Sequence, residues 1–108
     1  MIVGILRTRL RPECESEYRI AAQAVLPVAQ AVPGYLGHKN FVADDGERLM
    51  VVEYETEEAM KAWALHPDHV AAKRLGFKVF SAYKVQVCQV VTQRGSDRAK
   101  NGTSTESG

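Results

Sequence analysis

Two of the chain's three histidines and its only tryptophan stand within seven residues, in Trp63-Ala64-Leu65-His66-Pro67-Asp68-His69. An imidazole that titrates near neutrality can take a proton, donate a hydrogen bond or ligate a metal. An indole offers a flat wall to an aromatic guest. Each has a structural reading as well: Trp63 lies at helical spacing from Met60, as a core anchor would, and His66 precedes a proline, where a helix cap belongs. A metal site would need a third ligand, and Asp68, between the two histidines, points elsewhere on a helical turn. No metal is expected. A second polar group lies upstream, where Leu36, His38 and Asn40 share one face of an extended segment and Tyr35, Lys39 and Phe41 the other. A pocket walled by Trp63, Phe41, Phe77, Phe80 and Tyr83, with imidazoles at its mouth, would suit a flat aromatic guest.

Other chemistries lack their residues. Ser16 and Ser81 have no nucleophile-elbow motif around them. Gly34 and Gly37 bracket a turn and form no phosphate cradle, so no nucleotide cofactor is expected. The acidic pairs Asp44/Asp45 and Glu57/Glu58 fall in a turn and at a helix start. Cys14 and Cys88 are too far apart in sequence for a redox or zinc motif. With 14 Lys and Arg against 13 Asp and Glu, the chain lacks the basic excess of a nucleic-acid binder. No apolar run reaches the roughly 18 residues of a membrane span. The N-terminus lacks the pattern of a secretory signal, so a cytoplasmic location is expected.

The elements that must position these residues follow from periodicity. Met1 to Leu10 reads as a strand with apolar residues on both faces. Pro12 opens a helix whose stripe is Ile20, Ala24, Val28 and Ala31, widened by Ala21, Val25 and Val32, with Pro27 expected to kink or restart it. Tyr35–Ala43 and Arg48–Glu55 are strands joined by an Asp-Gly turn. Thr56 caps a short helix, His66 caps a second from Pro67 to about Lys78, and Ala82–Val91 is a closing strand with one buried face. The order βαββαβ is that of a ferredoxin-like α+β fold, with a four-stranded antiparallel sheet and both helices on one face. The bare face, apolar in part, needs a cover, which a homodimer joining two sheets into an α+β barrel would supply. Residues 1–91 form this domain. Residues 92–108, nearly devoid of apolar side chains, are expected to be a disordered tail.

Several stretches together resemble the antibiotic biosynthesis monooxygenase (ABM) family. They are Pro33-Gly34-Tyr35-Leu36-Gly37, the Asp44-Asp45-Gly46 turn before a strand ending Glu53-Tyr54-Glu55, the run from Trp63 through His66, Pro67, His69 and Ala72 to Gly76, and the closing Tyr83, Val85, Val87. The resemblance implies a dimeric α+β barrel. For the quinone-forming branch it implies a cofactor-independent monooxygenase, oxidising a small aromatic phenol, hydroquinone or anthrone with molecular oxygen. That branch has an asparagine four residues before the tryptophan and a tyrosine six after it; this chain has Ala59 and His69. Trp63 therefore carries over, His69 replaces the tyrosine as base or hydrogen-bond donor, and His66 takes a secondary role. His38, Asn40, Phe41 and Tyr83 are the substrate-binding candidates. The haem-degrading branch needs an asparagine in the first strand and a histidine ten residues past the tryptophan, where this chain has Lys73. An isomerase and a non-catalytic dimeric binding or stress-response module are the other readings.

Overall fold

A computed structural model describes residues 1–96. Its elements are β1 (Ile2–Leu10), α1 (Glu15–Gln30), β2 (Tyr35–Val42), β3 (Arg48–Tyr54), α2 (Glu57–Ala64), α3 (Pro67–Val79) and β4 (Phe80–Gln89). A short 3-10 turn, Pro12–Cys14, leads into α1. The four strands form one antiparallel sheet in the order β2-β3-β1-β4, the ferredoxin-like arrangement read from the sequence. Residues 92–96 carry no regular structure, and the rest of the expected tail, 97–108, lies outside the described residues.

Local chemistry accounts for the boundaries. Thr56 accepts a hydrogen bond from the Ala59 amide at 3.2 Å and caps α2. His66 is extended, as a residue before proline should be, and its Nδ1 accepts from the Asp68 amide at 3.1 Å to cap α3. Gly46, at φ 87°, makes the β2–β3 turn. Gly34, at φ 89°, is tighter: a Cβ there would lie 2.7 Å from that of Ala59. The turn into β2 is thus pressed against α2.

Residues opposite one another in an antiparallel sheet share a face. Four rows cross the helix-covered side: Tyr35, Tyr54, Ile2, Gln89; then His38, Val52, Gly4, Val87; then Asn40, Met50, Leu6, Val85; then Val42, Arg48, Thr8, Tyr83. The core occupies the first row, where Ile2 and Tyr54 are buried with Ala59 and Trp63. Val25, Val28 and Ala29 of the second half of α1, with Val32 just beyond its end, close over it.

Four sequence expectations are corrected. Tyr35 stands on the face of His38, because an irregularity between Tyr35 and Gly37 shifts the alternation. α1 has no fully buried residue; its half-buried positions are Tyr18, Ala21, Ala22, Val25, Leu26, Val28 and Ala29, so Ala21, Val25 and Val28 face inward as expected, whereas Ile20, Ala24 and Ala31 are exposed. Both stripes fit a 3.6-residue period, and the edge-on contact of Tyr18 with Phe80, 5.4 Å between ring centres, goes with the observed one. The helix does not restart at Pro27, which falls in its last turn, where the missing amide removes one helical bond. Neither face of β4 is buried within the chain: Tyr83, Val85 and Val87 are all more than half exposed. α3 reaches β4 through the edge-on contact of Phe77 with Tyr83, which leaves the strand's side chains largely exposed.

Candidate functional site

Trp63 sits on the inward face of α2, only 9% exposed. The break at His66-Pro67 turns the chain so that both histidines return to the indole. The His69 ring lies 4.7 Å from it, centre to centre, inclined by 31°, and the His66 ring lies 5.7 Å away. The two imidazoles differ in their free nitrogens. The Nδ1 of His66 accepts from a backbone amide, so in its neutral form Nε2 carries the proton. The Nδ1 of His69 faces the Ala64 carbonyl at 3.4 Å and can only donate to it, which leaves Nε2 with a bare lone pair. Burial pushes the His69 pKa down, the Ala64 carbonyl opposes this, and the nearby Lys73 and His66 push the same way as burial. A half-buried, neutral imidazole with an open Nε2 is the form of histidine that accepts protons.

The other predicted site residues are not gathered around this pair. His38 is in the second row, its Nδ1 hydrogen-bonded to the Tyr35 hydroxyl. Burial raises the Tyr35 pKa, so the phenol keeps its proton. Tyr54 beside it is pushed up to about 12, by burial first and by Tyr35 second. Asn40 lies one row further from Trp63. Phe41 alternates to the helix-free side with Leu49 and Arg7. Tyr83 meets Phe77 edge-on at 5.8 Å, out on β4. The aromatic pocket expected from Trp63, Phe41, Phe77, Phe80 and Tyr83 is therefore not formed within one chain. These rings are distributed over two sheet faces and both ends of the helical layer.

Open space of about 380 Å3 lies along β2 and β3, lined by Gly37, His38, Lys39, Phe41, Val51 and Glu53, away from Trp63. A cavity of about 240 Å3 runs between the first half of α1 and the third and fourth rows, walled by Leu6, Ala22, Met50 and the Tyr18 ring. Thr8, Gln23, Asn40 and Arg48 supply its polar lining. Of the residues lining it, sequence reasoning singled out Asn40 and Phe41. Thr8 shares a face with Leu6 and Gly4 on β1, and nothing in the sequence places α1 above it. Among the described residues, no group of three or more His, Cys, Asp or Glu side chains could hold a metal ion, and no helix is long and apolar enough to cross a membrane.

Residues 1–75 match the antibiotic biosynthesis monooxygenase family, and the chain belongs to it. An uncharacterized protein of Bacillus subtilis, YqjZ, is 29% identical over 92 residues, covering 84% of this chain and 81% of that protein. Among solved structures, Rv0793 from Mycobacterium tuberculosis is similar at TM-score 0.76 and 18% identity, over 85% of this chain and 96% of its own. SnoaB, described as a cofactor-independent oxygenase from Streptomyces nogalater, is similar as a mutant form at TM-score 0.73 and 8% identity, over 85% and 94%. At such identities these structures establish the shared fold.

Proposed function

We propose that this protein is a cofactor-independent monooxygenase that oxidises a small, electron-rich aromatic phenol, hydroquinone or anthrone with molecular oxygen. The reading is carried by one observation: His69, of the three histidines, turns its Nδ1 toward a carbonyl and keeps Nε2 free, neutral and stacked on Trp63. Family membership and the named oxygenase among the structural relatives support it. His69 takes the proton of an acidic phenol or activated carbon, and the resulting anion is electron-rich enough to reduce oxygen itself. With an anthrone, one oxygen atom becomes the new carbonyl and the other leaves as water with the two hydrogens of the oxidised CH2; with a phenol or hydroquinone, the two hydrogens of that water come from the ring C–H and hydroxyl groups. Trp63 walls the reacting ring, and His66, with Nε2–H outward, donates to a developing anion. Of the other candidates, His38 is the proposed substrate contact, since Asn40 stands a row further from Trp63, Phe41 on the other sheet face and Tyr83 out on β4.

A homodimer belongs to the same proposal. The row Tyr83, Val85, Val87 on β4, together with Phe77 and Leu65, leaves a single chain with a broad exposed apolar border. Val3, Ile5, Leu49 and Val51 line the bare sheet face, each half-buried. A second copy would cover such a surface. Sedimentation is expected to give a dimer at micromolar concentration, and a stable monomer would overturn this part.

The catalytic reading is tested by oxygen uptake and product absorbance, using metal-stripped protein with a panel of hydroquinones and anthrones. Turnover is expected, with His69→Ala slower by about 10²- to 10⁴-fold, the usual contribution of a positioned base. No uptake above the buffer rate on any substrate would overturn it. Anaerobic turnover of the panel would point to an isomerase. A haem absorbance shift lost with His66 or His69 would point to haem chemistry.

A further inference from the structure

We infer that Lys73 is a positioning residue for His69: its ammonium takes the cation's place at the C-terminal end of α2, on the carbonyl that His69 also uses, and so leaves the imidazole to act as an uncharged base. The inference rests on the role proposed above for His69 and adds a side chain which that proposal does not use.

The last carbonyls of a helix have no amide partners of their own, and they form the negative end of its dipole, where a cation is favoured. α2 ends at Ala64. Had the helix run on, the Asp68 amide would have met the Ala64 carbonyl. The break at Pro67 prevents this, and that amide goes instead to Nδ1 of His66 at 3.1 Å. The carbonyl is thereby open, and two side chains of α3 reach back to it. Nδ1 of His69 stands 3.4 Å from the oxygen, and Nζ of Lys73 donates to it at 3.3 Å. His69 and Lys73 are four residues apart, on one face of α3, so both arrive together once α3 is set against the end of α2.

Two cations on one oxygen repel each other. Ordinary proton affinity decides which of the two is charged: an ammonium holds its proton to about pH 10.4, an imidazolium only to about 6.5. Lys73 is therefore the cation, and His69 donates Nδ1–H as a neutral ring. Among the described residues Lys73 makes no ion pair, so no carboxylate cancels its charge. From α2 the imidazole meets the Trp63 ring and the Ala64 carbonyl, neither of which titrates; the titratable groups acting on it are Lys73 and His66. Burial is the largest influence lowering the His69 pKa, the Ala64 carbonyl opposes it, and Lys73 and then His66 add to it. Without Lys73, the bare carbonyl and the helix end would favour the imidazolium more strongly.

The test is a pH titration of the whole chain, followed by the imidazole Cε1–H resonances in NMR and assigned with His66→Gln and His69→Gln. Lys73→Gln removes the charge but keeps an N–H donor, Lys73→Met removes both, and Lys73→Arg keeps both. In Lys73→Gln and Lys73→Met the protonation constant of His69 is expected to rise about two- to fivefold, the size of a charge interaction at an exposed site, with a smaller change at His66. Lys73→Arg should titrate as the wild type does, and so should the distant, exposed control Lys84→Gln. An unchanged His69 titration in Lys73→Gln and Lys73→Met would overturn the inference. A rise in Lys73→Arg as large as that in Lys73→Met, or equal rises at His66 and His69, would overturn it too. Oxygen uptake plays no part in this readout. A silent Lys73 defeats the inference even when the aromatic panel turns over, whereas a panel without turnover defeats the monooxygenase reading and leaves the effect of Lys73 on the imidazole in place.

Discussion

The two halves of α1 cover the same sheet in opposite ways. The second half, with Val32 just beyond its end, presents Val25, Val28 and Ala29 to Ile2, Tyr54 and Trp63, apolar against apolar, and the space closes. The first half presents Tyr18, Arg19, Ala22 and Gln23 to Thr8, Arg48 and Asn40, and a cavity remains. Polar side chains facing polar side chains gain little by collapsing onto one another. The closed end therefore holds groups whose proton affinities burial has shifted, while the open end keeps space among polar side chains. A sheltered side chain and an open space are separate achievements of a fold, and here they lie beneath one helix.

The largest effect expected from this contrast is on stability. Trp63→Ala should cost about 3–5 kcal/mol in urea unfolding, since the indole is buried with Ile2, Tyr54 and Ala59. Arg48→Gln, at the open end, should change stability by less than about 0.5 kcal/mol. Comparable losses at both ends would break the comparison. Tyr54 gives the next test. Its phenol, held protonated to about pH 12 in the folded chain, ionises near 10 when unfolded. Between these values the folded state binds more protons, so stability falls as pH rises through that window, by about 2–3 kcal/mol in all. Tyr54→Phe should lack this alkaline loss.

Packing itself can be probed with one change at two sites. Ala59→Leu forces three extra carbons into the buried seam where Gly34 already approaches, and should cost about 1–3 kcal/mol. Ala22→Leu has the cavity to grow into and should stay within about 0.5 kcal/mol of wild type. Equal penalties would mean that the space beneath α1 is closed in solution.

The strand order, the helix caps and the turns were legible because each rests on a local rule: Thr56 and His66 cap where their neighbours require it, and Gly46 turns where Asp-Gly predicts. The Trp63, His66 and His69 side chains were legible as neighbours in sequence, but the direction of His69, toward solvent or toward the indole, depends on how α3 leaves the proline break. The cavity was hidden, because Thr8, Tyr18 and Arg48 meet through the register of β1 with β3 and the rotation of α1. Neither is encoded within a single segment. Part of the α1 stripe was misjudged for the same reason: Ile20 and Tyr18 stand about 200° apart around the helix, and the choice between them belongs to the packing partners. The bulge at Tyr35 and Gly37 inverted one strand's assignment, since a single extra residue moves a side chain to the other face.

The smallest predicted effect bears most directly on function. His69 has its pKa below the ordinary 6.5 in the folded chain, chiefly because burial disfavours the imidazolium, whereas the unfolded chain titrates at the ordinary value. As pH falls through 6.5 the unfolded state takes up the proton first, so stability declines and then levels off below the folded pKa. Asp45 does not confuse this window: its carboxyl is held below 3.8, first by the Glu47 amide and then by Arg9, so its contribution is lost only at lower pH. Urea unfolding followed from pH 7 to pH 5 should show the decline in the wild type, and His69→Gln should flatten it. The same group then gives oxygen uptake an acid limb that rises with pH through a value below 6.5. An acid limb of stability unchanged in His69→Gln would show that the imidazole is not sheltered by Trp63. The closed end would then lose the feature that makes it a candidate for proton transfer.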